Sequence, residues 1–448
     1  MWWDGKITRT LRCRLAQTPG NLGRMLAAVG EQGGLIGEIR IVTMGSSAIV
    51  RDITIYVDDL KHLDRIIALI HALPDIDLLE VRDEVLEMHQ GGKIAIRSRY
   101  DISSLDVLRR VYTPGVAEVS LKIKEDPSLA RRFTSIRHLV AIVTDGTAVL
   151  GLGDIGPLAA MPVMEGKASL LETLTGLSGM PILLATKDSE EIIRTVVNIS
   201  PTFSAIQLED ISAPRCFEIE RRIQDAVDIP VMHDDQHGTA CVVTAALLNA
   251  AKMARVDLTK ARIGVIGLGA AGFALSKMLM FYFRTPVLGA DISAPALERL
   301  KAAGGRPSDL KEVMAEADVV IATTGVPGLI KKSMVRKGQI ILALSNPNPE
   351  IEPAAAVEAG AAFAADGKSV NNVLGFPGIF RGAVDANVRR ITREMLIAAA
   401  ETIAGFAPAG EIVPNPLDKN LHKMVARAVA RVALEKGLNR DDLTGYFD

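Results

Sequence analysis

The chain has 448 residues, of which 48% are hydrophobic, and this length exceeds what a single hydrophobic core usually supports. Its 51 Lys and Arg residues nearly balance 53 Asp and Glu residues, which argues against a surface for nucleic acid or another polyanion. We therefore expect two or three domains, no nucleic-acid partner and a small-molecule ligand.

The cysteines and the N-terminal residues bear on the cellular compartment. Cys13, Cys216 and Cys241 are widely spaced and odd in number, so they indicate neither a disulfide framework nor a thiolate metal site. Residues 1–6 lack the basic head and apolar core of a signal peptide. The apolar run over 263–283 has the length of a membrane span, but its glycines and lysine favour a buried strand that turns into a helix. We expect a cytoplasmic protein without a membrane partner.

The first eighty or so residues have the pattern of a separate small module. Their apolar spacing predicts strands over 7–15, 35–43, 48–57 and 78–86, with one helix after the Thr-Pro-Gly-Asn turn at 18–21 and another over 60–73. This βαββαβ order is typical of a split-βαβ sandwich.

The module resembles the ACT family of regulatory domains, and the likeness is strongest at its Thr-Pro-Gly-Asn-Leu-Gly turn. The resemblance implies that it binds an amino acid or another small effector. Backbone N–H groups at the start of the first helix, near Gly20 and Asn21, suit the carboxylate of such a metabolite. The alternative is a ferredoxin-like module that serves only dimerisation.

Two isolated polar residues follow a linker at residues 90–93. Tyr112 lies beside a proline just before an amphipathic helix, a context that is normally half-buried packing. Lys167 comes after a strand over 139–143 and a glycine-dense turn at 151–156, where a helix is predicted to start. A lysine there opposes the helix macrodipole, so it either has another role or simply points into water.

Short apolar strands alternate with helices from residue 180 onwards, which predicts a parallel sheet covered on both faces. The predicted elements are strands over 181–185, 204–208 and 229–232 and helices over 189–197, 213–227 and 240–254.

Two acidic pairs lie at the ends of neighbouring strands in this predicted sheet. Glu209 and Asp210 follow one strand, and Asp234 and Asp235 follow the next one and precede the helix that Thr239 opens. A parallel sheet brings such strand ends side by side. Crowded carboxylates repel each other unless a cation lies among them, and oxygen ligands favour Mg²⁺ or Mn²⁺. We predict a divalent-metal centre, with helix N-caps as the alternative.

A second α/β region begins with a dinucleotide-binding fingerprint. A predicted strand ends in Gly267, Gly269 and Gly272 with GxGxxG spacing, a helix follows, and the next strand ends at Asp291. In this context the glycines admit the pyrophosphate to the helix N-terminus and the acid binds the ribose hydroxyls. Because a carboxylate repels a 2′-phosphate, we expect NAD rather than NADP, although NADP stays possible.

The later strands, over 319–323 and 339–344, end in polar turns that contain Thr324 and Asn346. These turns lie at the edge of the sheet where a nicotinamide and a substrate would bind. Asn371 precedes the long terminal helices. For the asparagines, ordinary turn chemistry is an equally good interpretation.

Taken together, these motifs resemble the malic enzyme family over residues 95–405, and most closely its compact prokaryotic branch. The motifs are Tyr-Thr-Pro-Gly-Val-Ala at 112–117, Gly-Leu-Gly-Asp-Ile-Gly at 151–156, Met-Glu-Gly-Lys at 164–167, Glu-Asp at 209–210, His-Asp-Asp-Gln-His-Gly-Thr at 233–239, Ser-Asn-Pro at 345–347 and Asn-Asn at 371–372. The resemblance implies oxidative decarboxylation of L-malate to pyruvate and CO₂ with a nicotinamide cofactor and a divalent metal. We also expect a homo-oligomer.

The resemblance also assigns roles to single residues. Lys167 would be the base, its pKa lowered by burial and a nearby cation, and Tyr112 would be the acid that protonates C3 of the enol. Asp234 would lie beside Lys167. The remaining assignments are Glu209, Asp210 and Asp235 for the metal, Asn346 and Asn371 for substrate or nicotinamide, and Thr239 and Thr324 for the cofactor. Where larger relatives carry an arginine for the substrate carboxylate, this chain has Ala148.

The expected fold is therefore α/β with three domains. An ACT-like module would occupy residues 1–90, a substrate and metal domain 91–236, and a Rossmann domain with terminal helices 237–448. Two other classes of protein stay open. An amino-acid or shikimate-type dehydrogenase would share the Rossmann half without needing two acidic pairs, and a non-catalytic effector-binding protein would lack Lys167 or Tyr112.

Overall fold

A computed structural model describes residues 6–149, 151–368 and 370–448. The chain divides into two compact units, Met1–Ala95 and Ile96–Asp448. Both α/β regions belong to the second unit, and the predicted domain boundary at 236/237 falls inside one of its helices. No helix among the described residues is both long enough and apolar enough to cross a membrane.

The first unit has the predicted βαββαβ order. Its elements are β1 (Ile7–Ala16), α1 (Asn21–Glu31), β2 (Leu35–Met44), β3 (Ala48–Val57), α2 (Leu60–His71), β4 (Ile76–Arg82) and α3 (Glu84–His89). The strands form an antiparallel sheet in the order β2-β3-β1-β4. Its core is built by apolar side chains such as Leu11, Met25, Ile53 and Ile66, which are fully buried.

The last strand of this unit is shorter than predicted. We expected it to run to residue 86, but β4 ends at Arg82 because Asp83 caps α3. The Asp83 side chain accepts hydrogen bonds from the backbone N–H groups of Val85 and Leu86, both at 3.1 Å. An acidic N-cap therefore outweighed the apolar spacing of the following residues.

The second unit begins with three short helices and a four-stranded sheet. Its elements are α4 (Leu105–Val111), α5 (Gly115–Glu125), α6 (Ala130–Phe133), β5 (Leu139–Thr144), α7 (Pro157–Thr175), β6 (Ser178–Leu183), α8 (Ser189–Ile199), β7 (Ala205–Leu208), α9 (Arg215–Ala226), β8 (Val231–His233) and α10 (Asp234–Ala254). The sheet is parallel, as predicted, with the order β6-β5-β7-β8. Leu208 is paired with His233, so the residues after β7 and β8 lie side by side.

A six-stranded sheet and three terminal helices complete the unit. The elements are β9 (Ile263–Ile266), α11 (Ala270–Phe283), β10 (Leu288–Ala290), α12 (Ala294–Ala302), β11 (Arg306–Ser308), α13 (Leu310–Glu316), β12 (Val319–Ala322), β13 (Ile340–Ala343), α14 (Pro353–Glu358), β14 (Phe363–Asp366), α15 (Phe376–Asp385), α16 (Arg393–Phe406) and α17 (Lys419–Glu435). All strands are parallel in the order β11-β10-β9-β12-β13-β14. This is the Rossmann order, as predicted, and the apolar run over 263–283 forms β9 and α11.

Two helices start earlier than predicted. Helix α7 begins at Pro157, a favourable first helical position, and continues through Pro162, so Lys167 lies in mid-helix rather than at its start. Helix α10 begins at Asp234, so Asp234 and Asp235 belong to its first turn. Carboxylates are stabilised there by the helix dipole, which extends the helix toward β8.

Candidate active site

The two acidic pairs come together at the ends of β7 and β8. Glu209 and Asp210 follow β7 directly, and Asp235 projects from the first turn of α10. One carboxylate oxygen from each of these three residues lies within 4.8 Å of the others. The Asp210 backbone N–H also donates to Asp235 Oδ2 at 2.9 Å, which ties the two strand ends together.

The electrostatics of this cluster fit a divalent cation. Burial raises the pKa of Asp210 to about 7, with a further contribution from the Asp235 carboxylate. Burial also raises the pKa of Glu209 well above its ordinary value, although Lys167 acts in the opposite direction. Asp210 Oδ2 is buried without a hydrogen-bond partner in the described parts of the chain, and the residue has a left-handed φ of 54°. An orphaned carboxylate oxygen on a strained backbone is the donor that Mg²⁺ or Mn²⁺ would satisfy.

Lys167 lies beside Asp234, as predicted. Its Nζ is 2.5 Å from Asp234 Oδ2, 2.9 Å from Glu209 Oε1 and 4.5 Å from the centre of the Phe376 ring. Burial lowers the pKa of Lys167, but the Asp234 and Glu209 carboxylates outweigh it, so the pKa is raised overall. The lowered pKa expected from the sequence depends on a cation that compensates these acidic charges, and it therefore stays a prediction. A divalent cation among them would reverse their effect.

Glu220 on α9 is a site residue that the sequence analysis missed. It is buried, and its carboxylate accepts hydrogen bonds from the His233 backbone N–H at 2.9 Å and from Gln236 Nε2 at 3.0 Å. His237 Nε2 lies 3.0 Å from it as well. The His233 ring lies 3.2 Å from Asp235 Oδ2. Glu220 therefore supports the junction of β8 and α10, which carries a candidate metal ligand.

A local signal could have revealed Glu220. The buried face of α9 is formed by Cys216, Ile219 and Ile223, which recur at helical spacing, and Glu220 falls on the same face. A charged side chain within an apolar stripe is rarely buried unless it has partners. The stripe therefore indicates a polar network behind the helix.

The asparagine that reaches the cluster is Asn372, not the predicted Asn371. Asn372 Nδ2 lies 3.4 Å from Asp234 Oδ2, and its Oδ1 accepts from the Thr239 hydroxyl at 3.1 Å. Asn371 is exposed and accepts from the Val373 backbone N–H at 3.0 Å, so its side chain caps a turn. The structure therefore shows a turn interaction for Asn371, whose contact with substrate or nicotinamide stays a prediction, and Thr239 also faces this cluster.

The glycines of the dinucleotide fingerprint have the required geometry. Gly267 has a φ of 90°, which side chains rarely adopt, and a Cβ on Gly272 would lie 1.8 Å from the Gly267 carbonyl oxygen. Gly269 precedes α11 and has open space around it. Asp291 follows β10 and accepts from the Leu268 backbone N–H at 2.6 Å. The loop and the acid therefore lie together at the carboxyl edge of the sheet.

Thr324 and Asn346 lie at the same edge, after β12 and β13. The Thr324 hydroxyl and backbone N–H both donate to Glu350 Oε1, at 2.9 and 2.7 Å. Glu350 is fully buried and organises this turn, a role that the sequence analysis did not assign. Asn346 is half-buried, and a Cβ on Gly367 would lie 2.8 Å from its Nδ2.

Tyr112 is not brought to the acidic cluster. It lies between α4 and α5 with 66% of its surface exposed, and within the described ranges its side chain forms no hydrogen bond. Its backbone N–H donates to the Leu108 carbonyl at 2.9 Å. No contact among the described residues of one chain joins the predicted acid to Lys167, so its role stays a prediction.

Models of known protein families match both α/β regions of the second unit. The family model for the malic enzyme N-terminal domain matches residues 94–224, and that for the malic enzyme NAD binding domain matches 294–435. The family model for the NAD binding domain of D-isomer specific 2-hydroxyacid dehydrogenases matches residues 232–332. This range begins between the two malic enzyme matches, overlaps the second and includes the glycine loop.

Whole-chain relatives give the same result. NAD-dependent malic enzyme 1 of Bacillus subtilis is 56% identical over 96% of this chain and 98% of its own length. The NAD-dependent malic enzyme of Geobacillus stearothermophilus is 42% identical over 97% and 96%. The crystal structure of malic enzyme from Pyrococcus horikoshii, 38% identical, covers 82% of this chain and 93% of its own with a TM-score of 0.77. The chain therefore belongs to the malic enzyme family.

Proposed function

We propose that this chain oxidises L-malate to pyruvate and CO₂ with NAD, at the cluster formed by Glu209, Asp210, Asp235 and Lys167. The observation that carries the proposal is the meeting of two buried carboxylates, Glu209 and Asp210, with the partly buried Asp235 and Lys167 at the carboxyl ends of two parallel strands. A dinucleotide loop lies in the same compact unit. The reaction requires a Lewis acid and a hydride acceptor. The cluster suits a metal ion that acts as the Lewis acid, and the loop suits the dinucleotide that accepts the hydride.

Glu209, Asp210 and Asp235 would hold the divalent cation. When bound, the cation supplies a Lewis acid for the oxygen on C2 of malate and NAD supplies the acceptor for the C2 hydride. With a cation among the carboxylates, the pKa of Lys167 would be lowered, and its neutral amine would take the proton of the C2 hydroxyl. Asp234, at 2.5 Å from Nζ, orients that amine.

Loss of CO₂ leaves an enol whose C3 must gain a proton, and we assign that proton to Tyr112. The proton taken from the hydroxyl then balances the proton given to C3, so malate and NAD⁺ become pyruvate, CO₂ and NADH. Tyr112 is exposed, and the stretch of chain around it carries further exposed apolar side chains, including Ile96 at 91%, Leu105 at 72% and Leu121 at 59%. We propose that a second copy of the chain covers this stretch and completes the surroundings of Tyr112.

The direct test is NADH formation from L-malate with Mn²⁺, with and without an exhaustive chelator. We expect activity only with the metal, and Asp235→Asn should weaken Mn²⁺ binding because it removes a charge from the cluster. Full turnover after chelation would contradict the metal assignment.

The two catalytic roles are separable by partial reactions. Lys167→Ala should abolish hydride transfer, whereas Tyr112→Phe should lose protonation of C3 yet still reduce added oxaloacetate with NADH. Equal loss of both reactions in the Tyr112 variant would refute the division of roles. Recovery of activity on mixing the two inactive variants would place residues of different copies in one site.

For the first unit, we propose regulation by a small effector, in keeping with the ACT-like element order. Gly20 has a left-handed φ of 92° and precedes α1. The Asn21 backbone N–H donates to the Thr18 carbonyl at 3.2 Å and its side chain donates to the Ala16 carbonyl at 3.0 Å. Carboxylate recognition would therefore rest on the following N–H groups of the first turn.

Three free, buried cysteines fit a cytoplasmic protein.

A further inference from the structure

A cavity of about 480 Å³ lies away from the acidic cluster. It is formed where the C-terminal ends of α7 and α15 meet the first half of α17. Six of its lining residues decide its chemistry: Arg381, Asp385, Lys419, His422, Lys423 and Arg427. None of them has a role in the proposed reaction.

Three cations of this cavity have no counter-charge. Lys419, Lys423 and Arg427 lie at successive turns on one face of α17, and none forms an ion pair within the described parts of the chain. Like charges four residues apart repel each other. Cations in the first turns of a helix also oppose its dipole. The arrangement is therefore unfavourable for an empty cavity and favourable for one that holds an anion.

The neighbouring acids do not supply the missing charge. Asp385 is paired with Arg381, at 2.7 Å, and accepts from the Tyr446 hydroxyl at 2.7 Å. Glu172 is exposed at the rim, with Ser178 Oγ at 3.5 Å. Arg381 in turn lies 3.4 Å from the Thr175 carbonyl at the end of α7. Arg381 and Asp385 therefore offset each other, whereas Glu172 forms no ion pair with a described residue, and the three α17 cations leave the lining with a net positive charge.

His422 adds a separate indication of a ligand. It is fully buried and its Nε2 lies 2.8 Å from the Pro416 carbonyl oxygen, so Nε2 carries the proton and donates. Its Nδ1 is then an acceptor, and it is buried without a partner among the residues that the structure describes. Buried acceptors in native proteins nearly always have a donor. A hydroxyl group is the donor that would satisfy Nδ1, and because this atom is closed to solvent, the hydroxyl reaches it only when the side chains that cover it move.

We propose that this cavity binds a small polyanionic metabolite that also carries a hydroxyl group, with the anionic groups on Lys419, Lys423 and Arg427 and the hydroxyl on His422 Nδ1. The anionic groups are carboxylates or phosphates, which lysine and arginine both bind.

The position of the cavity links such a ligand to the catalytic residues. Helix α7 carries Lys167, and α15 begins with Phe376, whose ring contacts Lys167. Helices α15 and α17 are in close contact, since a Cβ on Gly382 would lie 2.3 Å from the Ala426 carbonyl oxygen. An anion that favours one arrangement of these packed helices therefore biases the placement of Lys167.

The test is calorimetric titration of the full-length protein without added metal. Citrate probes a hydroxylated polycarboxylate, tricarballylate is the same molecule without the hydroxyl, and glycerol 2-phosphate probes a hydroxylated phosphate. We expect citrate or glycerol 2-phosphate to bind, the tighter one identifying the anionic group. Tricarballylate should bind about tenfold more weakly than citrate if a hydroxyl satisfies Nδ1. Binding should weaken as salt is added.

Variants locate the site. Lys423→Gln with Arg427→Gln should abolish the binding, whereas Arg431→Gln, an exposed cation of the same helix outside the cavity, should leave it unchanged. Equal melting temperatures of the variants without ligand establish that they are folded. The proposal is overturned if no anion binds at millimolar concentration, if binding survives the double substitution, or if citrate and tricarballylate bind equally.

Discussion

Substitution of Glu220 by glutamine would test whether this side chain positions the metal ligand Asp235. It would change the support of the junction of β8 and α10 without changing any of the proposed metal ligands. The two side chains have the same shape, but an amide has one acceptor oxygen and presents its NH₂ group where the second carboxylate oxygen stood. Glu220 now accepts from the His233 backbone N–H at 2.9 Å and from Gln236 Nε2 and His237 Nε2 at 3.0 Å each. At least one of these buried donors would lose its acceptor.

The expected magnitude follows from these contacts. Burial raises the pKa of Glu220, but His237 and the His233 N–H outweigh burial and lower it overall, so the carboxylate is charged. Loss of an acceptor for a buried donor costs about 1–3 kcal/mol. Loss of a supporting partner of a metal ligand typically reduces metal affinity about 10–100-fold, the same range. We therefore expect Glu220→Gln to weaken Mn²⁺ binding about 10–100-fold.

The measurement is a titration of Mn²⁺ followed by the electron paramagnetic resonance signal of the free ion. Glu218→Gln is the matched control, because Glu218 is on the same helix with its side chain 58% exposed. A thermal melt without metal shows whether each variant is folded. A folded Glu220→Gln protein that binds Mn²⁺ like the control would refute the reasoning, because the network would then not position Asp235.

Three further predictions concern pH, the cofactor and the first unit. The pKa of Asp210 is raised from 3.8 to about 7 in the metal-free fold. At a pH between these two values, the folded protein keeps a proton on Asp210 that the unfolded chain has lost. Its unfolding free energy should therefore fall as pH rises toward 7, while Mn²⁺ affinity, measured at pH 6 and 8, should rise as the proton leaves. Asp291 should give NAD the higher kcat/KM, and a preference for NADP would contradict its assignment to the ribose. A protein truncated to begin at Gly92, which leaves Ile96–Asp448 whole, should oxidise malate but lose its response to whichever metabolite modulates the full chain. A well-folded but inactive truncated protein would instead support the dimerisation interpretation.

Much of the architecture was predictable because its signals are local. Apolar residues alternate along β1 and recur at helical spacing in α1 and α2, so the βαββαβ order could be predicted without any long-range information. The glycine loop before α11 and Asp291 after β10 lie within one strand-turn-helix-strand unit, and their geometry is set by steric limits on the backbone. The two acid-tipped strands were also predictable, because parallel strands end at one edge.

Other features depend on contacts between residues far apart in the chain. Thr239 and Asn372 are hydrogen-bonded across 133 positions, and no local pattern distinguishes Asn372 from its neighbour Asn371. The pKa of Lys167 is raised because Asp234 and Glu209 approach it in space, which reverses the effect that burial alone would have. The observed starts of α7 and α10 differ from the predicted ones for another reason. Favourable charges and caps at the first turn compete with apolar spacing in setting where a helix begins.

The sequence by itself therefore determined which elements form, which of them end in acids and where a dinucleotide loop lies, because these follow from local periodicity and backbone sterics. Only the tertiary structure decided that Glu220 supports the junction of β8 and α10, that Asn372 rather than Asn371 reaches Asp234, and that Tyr112 stays exposed. These outcomes depend on distance and burial in three dimensions, which set hydrogen bonding and charge interaction and which spacing along the chain does not encode.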